Sequence, residues 1–176
     1  TTISYYNAGG GLAFSVTVSG GQRTYLAQIN QSGIWQWAKS FIPGGAGVGY
    51  SGRVRYDNVS LWLTCYYNNT LAISGQAGPT LPSPGVISVA VAKFNTSGTC
   101  LQLSQITRCS NLGGQPYFDG GTHAGAYYSA FMYSTTAILY HLNNGATYTS
   151  ITYPAANTGY YSMGIVQYNL NGVGTR

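Results

Sequence analysis

Glutamate is absent from this chain, and aspartate occurs only at Asp57 and Asp119. Charged residues make up 5% of the 176 positions, against roughly a quarter in ordinary soluble domains. Glycosidase-type chemistry needs two carboxyl groups about 5–9.5 Å apart, and here it could draw only on those two aspartates, which occupy unrelated places in the pattern described below. Asp57 reads as a turn former. Asp119-Gly-Gly-Thr-His123 could seed an acid–base pair, but no nucleophile elbow accompanies it. His123 and His141 have neither glutamate nor clustered cysteine beside them, so no metal site and no cofactor are expected. The chain reads as non-enzymatic.

Positive charge is sparse as well. Arg23, Lys39, Arg53, Arg55, Lys93, Arg108 and Arg176 are scattered and leave a net charge of +5. Only Arg53-x-Arg55 approaches a basic cluster, so a nucleic-acid partner is not expected. No apolar run nears the roughly 18 residues of a membrane-spanning helix. The three cysteines, Cys65, Cys100 and Cys109, show no CxxC or metal-like spacing. If residues 100–106 form a strand they cover about 20 Å, whereas a disulfide needs Cα atoms within about 7 Å. A Cys100–Cys109 bridge is then excluded unless the chain turns straight after Ile106. Buried small hydrophobes are the preferred reading of all three. A surface this short of charge is poorly protected against self-association.

What fills the chain is Tyr, Gly, Asn, Ser and Thr, arranged as a repeat. Ala27-Gln-Ile-Asn-Gln-Ser-Gly33 returns as Ala92-Lys-Phe-Asn-Thr-Ser-Gly98 and as Val166-Gln-Tyr-Asn-Leu-Asn-Gly172, at offsets of 65 and then 74 residues. Such offsets signal arrayed supersecondary units. No window keeps a helical period; short runs rich in Val, Ile, Tyr, Trp and Thr between Gly and Asn predict an all-β chain. Each unit reads as a four-stranded antiparallel meander. The first holds Ile3–Asn7, Leu12–Val18, Tyr25–Asn30 and Ile34–Phe41. The second holds Arg53–Asp57, Leu61–Tyr67, Val89–Asn95 and Thr99–Ile106. The third holds Ala130–Ser134, Ile138–Leu142 and Met163–Asn169, without a fourth strand. Leu61, Leu63 and Cys65 alternate with Trp62, Thr64 and Tyr66, so that strand is expected between two neighbouring sheets. One domain of three units results, about 1–42, 49–110 and 121–176, with a β-sandwich as the alternative architecture.

Tyr25-Leu-Ala-Gln-Ile-Asn-Gln-Ser-Gly-Ile-Trp-Gln-Trp-Ala-Lys-Ser-Phe41 and Val89-Ala-Val-Ala-Lys-Phe-Asn-Thr-Ser-Gly98 carry a resemblance. The chain resembles the SBBP-type β-propeller repeat family of bacterial surface and large-virus proteins. In the second unit Cys100 and Gln102 stand where the motif has tryptophans. The resemblance implies blade-like repeats and no catalytic residues.

Fewer than three units do not close a propeller, and a meander with a bare edge invites pairing with another chain. The expected function is therefore that of a non-enzymatic structural protein, extracellular or on the surface of a cell or virus particle. It would assemble with copies of itself through strand edges, with the segment Thr1, Thr2, Ile3, Ser4, Tyr5, Tyr6 and Asn7 as the candidate donor strand. The alternatives are a carbohydrate-binding propeller or a fragment of a longer one. Asn30, Asn58, Asn68 and Asn95 are sequons and candidate glycosylation sites, although Asn30 and Asn95 also have a conformational reason to sit in the repeated turn. Trp35, Trp37 and Trp62 fall inside predicted strands and read as core. Tyr127, Tyr128, Tyr160 and Tyr161 flank glycine-rich loops and are the candidate exposed aromatic contacts, to glycans or to another copy.

Overall fold

The computed structural model describes residues 2–17, 23–44, 49–75, 80–82, 87–109, 111–112, 115–116, 118–143, 147–154, 162–168 and 174–175. Sixteen antiparallel β-strands and no helix occur among them, so the fold is all-β. The first unit was expected to be one four-stranded meander but is split: β1 (Thr2–Tyr6) pairs with β2 (Leu12–Thr17), and β3 (Thr24–Ile29) pairs with β4 (Trp35–Pro43) in a separate sheet, with no pairing of β2 to β3 among the described residues. The second unit is the expected meander. β5 (Gly49–Tyr56), β6 (Leu61–Tyr67), β8 (Ser88–Phe94) and β9 (Cys100–Cys109) pair in that order. The short β7 (Leu71–Ile73), in the link between β6 and β8, leaves the meander and adds a third strand to the sheet of β3 and β4. β10 (Asn111–Leu112) and β11 (Gln115–Pro116) form a small separate pair.

The third unit departs from expectation. The stretches predicted as two strands, Ala130–Ser134 and Ile138–Leu142, belong to one 18-residue strand, β13 (Ala126–Asn143). Ser134-Thr135-Thr136 holds no Gly, Asn or Pro to reverse the chain, and its β-branched threonines favour extension. The reversal comes earlier. β12 (Phe118–His123) pairs with β13 across Ala124 and Gly125, at φ 48° and 76°, the left-handed pair that a tight hairpin turn requires. β13 also pairs with β9, with β14 (Thr147–Tyr153) and with β15 (Ser162–Tyr168). Tyr133 is the point where both β9 and β15 meet it, so those two lie on opposite sides. β9 and β12 therefore follow each other along one side of β13, and β14 and β15 along the other. The second and third units thus share one nine-stranded sheet, which is not closed into a barrel. β16 (Gly174–Thr175) pairs with β15 through Tyr168↔Gly174. That is the register of Ile29↔Trp35 in the first unit and Phe94↔Cys100 in the second. The third unit, expected to lack a fourth strand, carries the start of one.

The repeat is also conformational. Asn30 Oδ1 accepts from the amides of Ser32 and Ile34 at 3.0 and 2.9 Å, and Asn95 Oδ1 accepts from those of Ser97 and Thr99 at 3.1 and 2.8 Å. Gly33 and Gly98 follow at φ 74° and 80°. Beyond each turn the ladder shifts by one residue, leaving Gln36 and Leu101 as extra residues at equivalent places. These are β-bulges, and they change which way side chains point. Two residues apart on a regular strand share a face. Across the bulge, Trp35 pairs with Ile29 and Trp37 with Gln28, so the two indoles face opposite ways.

Packing follows from those faces. Leu63, Cys65 and Tyr67 of β6, with Ala90, Ala92 and Phe94 of β8, pack against Leu26, Phe41, Leu71 and Ile73 of the first unit's sheet. Trp62 and Tyr66, with Val89 and Val91, pack instead against Tyr127, Phe131, Val166 and Tyr168 of the third unit. The central meander lies between two layers, as the alternation in β6 predicts.

Gly98 tests this arrangement. Its φ is left-handed, and a Cβ there would lie 2.6 Å from the Trp37 ring. Gly98→Ala is expected to lower stability by about 1–3 kcal/mol. Gly121→Ala, with nothing within 4 Å, should change it by under about 0.5 kcal/mol. Urea unfolding of the two variants makes the comparison.

Candidate functional site

The two indoles of Trp-x-Trp join separate parts of the molecule. Trp35 donates from Nε1 to the Tyr6 carbonyl at 2.9 Å and meets the Tyr5 ring edge-on at 5.0 Å. Its backbone amide donates to Asn7 Oδ1 at 3.1 Å. The candidate donor strand is thereby tied to β4 as well as paired with β2; Thr1 lies outside the described residues. Trp37 donates from Nε1 to the Thr96 carbonyl at 3.0 Å and stacks on Phe94. One indole holds its own unit's first hairpin and the other clasps the next unit's turn.

The second unit closes its first turn differently. Asp57 Oδ1 accepts from the amides of Val59 and Ser60, and its Oδ2 accepts from Trp62 Nε1 at 2.7 Å. This is the turn-forming role expected of it. The Trp62 ring stacks on Tyr127 at 4.8 Å, and the buried Lys93 ammonium lies 5.1 Å from the indole centroid. Burial pulls the Asp57 carboxyl upward. The Trp62 and backbone donors and the Lys93 charge outweigh it and hold the group below the usual carboxylate range. Burial lowers the Lys93 ammonium, and Asp57 opposes that. The cluster is a structural latch between a turn and the core.

Among the described residues the other titratable groups do not converge on one centre. Asp119 is exposed and lies 3.7 Å from Arg53 Nε and 3.6 Å from Arg55 Nη2. Such exposed pairs contribute little to stability, but they connect β12 with β5. His123 stands four residues further along β12, about 13 Å away at strand rise and outside hydrogen-bond reach. The suggested Asp119–His123 pair is therefore not formed. Among the described residues no three His, Cys, Asp or Glu side chains group as metal ligands. Cys65 and Cys100 are free thiols, pushed up by burial to about 12 and about 11. Cys100 and Cys109 cap the two ends of β9, about 30 Å apart at strand rise, so they do not bridge.

The aromatic contacts need correction. Tyr127, expected at an exposed loop, is buried in the core, where its hydroxyl hydrogen-bonds with Thr64. Gly120, diagonal to it on β12, leaves room for the ring, since a Cβ there would overlap the phenol oxygen. Tyr128, its neighbour on the other face, is half-buried. Tyr160 and Tyr161 lie outside the described residues. Of the sequons, Asn30 and Asn58 are exposed and Asn68 and Asn95 half-buried.

A surface that sequence reasoning missed emerges from repeat equivalence. Thr24, Val89 and Met163 occupy one repeat position, and Leu26, Val91 and Ile165 another, by the same offsets as the motif. This face of each unit points toward the following unit. Val89 and Val91 are 0% and 2% exposed beneath the third unit, whereas Met163 and Ile165 are 69% and 52% exposed. The opposite face shows the converse: Phe94 and Tyr168 are fully buried, while their equivalent Ile29 is 48% exposed. The units form a stack whose two outer faces carry interface-type side chains. The 65- and 74-residue offsets were signal enough to align these positions; their exposure was not readable without the packing.

No family model matches the chain, and the searches of curated proteins and of solved structures return no match.

Two outcomes are expected from the geometry above. A carboxyl held below its unfolded pKa contributes fully above that value, about 3.9, and the contribution is lost as pH falls toward the folded pKa. Asp57→Asn should therefore cost about 1–3 kcal/mol at neutral pH and should flatten the acid limb of a stability-versus-pH curve. Alkylation of the native protein at pH 8, followed by peptide mass mapping, should leave Cys65 unmodified until denaturant is added.

Proposed function

We propose that this chain is a non-enzymatic structural protein of an extracellular or particle-surface setting. It is built from units of the propeller-blade type that its motif resembles, and it works by associating with copies of itself. The observation that supports this reading is the exposure of Met163 and Ile165 at positions whose equivalents are buried between units. Covering what remains open on those two side chains is worth about 1–2 kcal/mol each. Both belong to one patch on a protein with very little charge to oppose contact. The end of the nine-stranded sheet adds to this. β5 ends that sheet, and its Val54 and Tyr56 are exposed. Arg53 and Arg55, on its other face, are drawn to Asp119 and leave the apolar side without a guarding charge.

Light scattering on the 176-residue chain tests the reading. The expected mass lies above 18.6 kDa and rises with concentration, and Met163→Lys lowers it at every concentration. A mass of 18.6 kDa throughout the micromolar range would overturn the proposal.

A further inference from the structure

We infer that copies associate head to tail, the outer face of the third unit in one copy packing on the outer face of the first unit in the next. This rests on the self-association proposed above and names the surface that receives the exposed Met163–Ile165 patch. The argument is that the chain makes this kind of interface twice already. At the first internal interface, Leu26 on the forward face of β3 packs against Ala90, Ala92 and Phe94 on the backward face of β8. At the second, Val89 and Val91 on the forward face of β8 pack against Val166 and Tyr168 on the backward face of β15. Forward faces meet backward faces in both. Forward does not meet forward.

The open forward face belongs to β15, with Met163 and Ile165. The open backward face belongs to β3 and β4. There Tyr25, Ala27 and Ile29 are the equivalents of Ala90, Ala92 and Phe94, and Trp35 is that of Cys100. Ile29 is exposed and the other three are half-buried. Tyr5 of the first hairpin lies against Trp35, so the receiving surface is a shallow aromatic floor with Ile29 standing beside it. None of these positions carries a charged side chain, and the matching forward positions end in the neutral Gln167 where the second unit has Lys93. A surface patch that binds a different patch on an identical partner is heterologous. It closes into a ring or grows into a filament according to the rotation between copies.

The test uses two single variants and their mixture. Ile29→Lys removes the receiving face and keeps the donating one; Ile165→Lys does the reverse. Both side chains are about half exposed, so either lysine can reach water without disturbing the core, and matching thermal unfolding curves check this. In size-exclusion chromatography with light scattering, each variant alone should associate at least about tenfold more weakly than the unaltered chain. The equimolar mixture should form a species of twice 18.6 kDa and grow no further, because each dimer has used its one intact donor and its one intact receiver. If Ile29→Lys self-associates as well as the unaltered chain, or the mixture stays monomeric, the head-to-tail inference is overturned while self-association stands. If the unaltered chain is itself a monomer, both fall.

Discussion

A strand with two apolar faces cannot rest against a single layer, because whichever face is left over stays in water. β6 and β8 are such strands, with Leu63, Cys65, Ala90, Ala92 and Phe94 on one side and Trp62, Tyr66, Val89 and Val91 on the other. The three-layer arrangement follows from covering both. The first unit supplies Leu26 and Phe41 for one side, and the third supplies Tyr127, Phe131, Val166 and Tyr168 for the other. Trp62 shows how closely the requirement is met. Its ring lies flat on Tyr127, its indole N–H reaches Asp57, and Lys93 stands near its face. A buried indole without an acceptor would cost what a lost hydrogen bond costs, and the turn residue Asp57 removes that cost.

Layers built this way need a device that lets one strand serve two neighbours, and the bulge beside the repeated turn is that device. An extra residue at Gln36 sends Trp35 to its own hairpin and Trp37 to the next unit. The same insertion at Leu101 separates Cys100, which packs toward the first unit, from Gln102, which pairs with Lys93 on the opposite face. In the first and second turns the opening asparagine, the closing glycine and the bulge that follows act together. The asparagine oxygen binds two amides, the glycine accepts the left-handed φ, and the added residue resets the faces.

A stack made of forward and backward faces has, by construction, one of each left over at its ends. The proposed association starts from those two faces. The exposed Met163, Ile165 and Ile29 are not scattered surface hydrophobes of the kind every protein has; they occupy repeat positions that are interior elsewhere in the chain. The scarcity of charge fits the proposed association, since ions at a surface that meets another apolar surface must be desolvated. The long strand β13 runs from one layer into another. Its C-terminal half extends the sheet of the second unit, and its N-terminal half lies in the layer that covers that same sheet.

Much of the local structure was legible in the sequence. Period-two alternation between Asn- and Gly-bearing turns placed β1 to β6, β8 and β9 to within a few residues, and the two-sided apolar pattern of β6 announced layers on both sides. Asp57 was recognisable as a turn residue for the same local reason. What escaped depended on contacts distant in the chain. β12 contains Gly120 and Gly121 and reads as a connector, yet it is a strand because it pairs along its length with β13, where a side chain at Gly120 would overlap Tyr127. β7 is only three residues long and is held by β4, far back in the sequence. Tyr127 looked like a loop aromatic and became core because Trp62, more than sixty residues away, lies over it. Most strands and turns, and the alternation of side chains along them, are set by neighbours along the chain, so the amino-acid order was enough to determine those. Which sheet a strand joins, and which of its two faces is left in water, is decided by pairing and packing between distant segments, and only the tertiary structure could decide it.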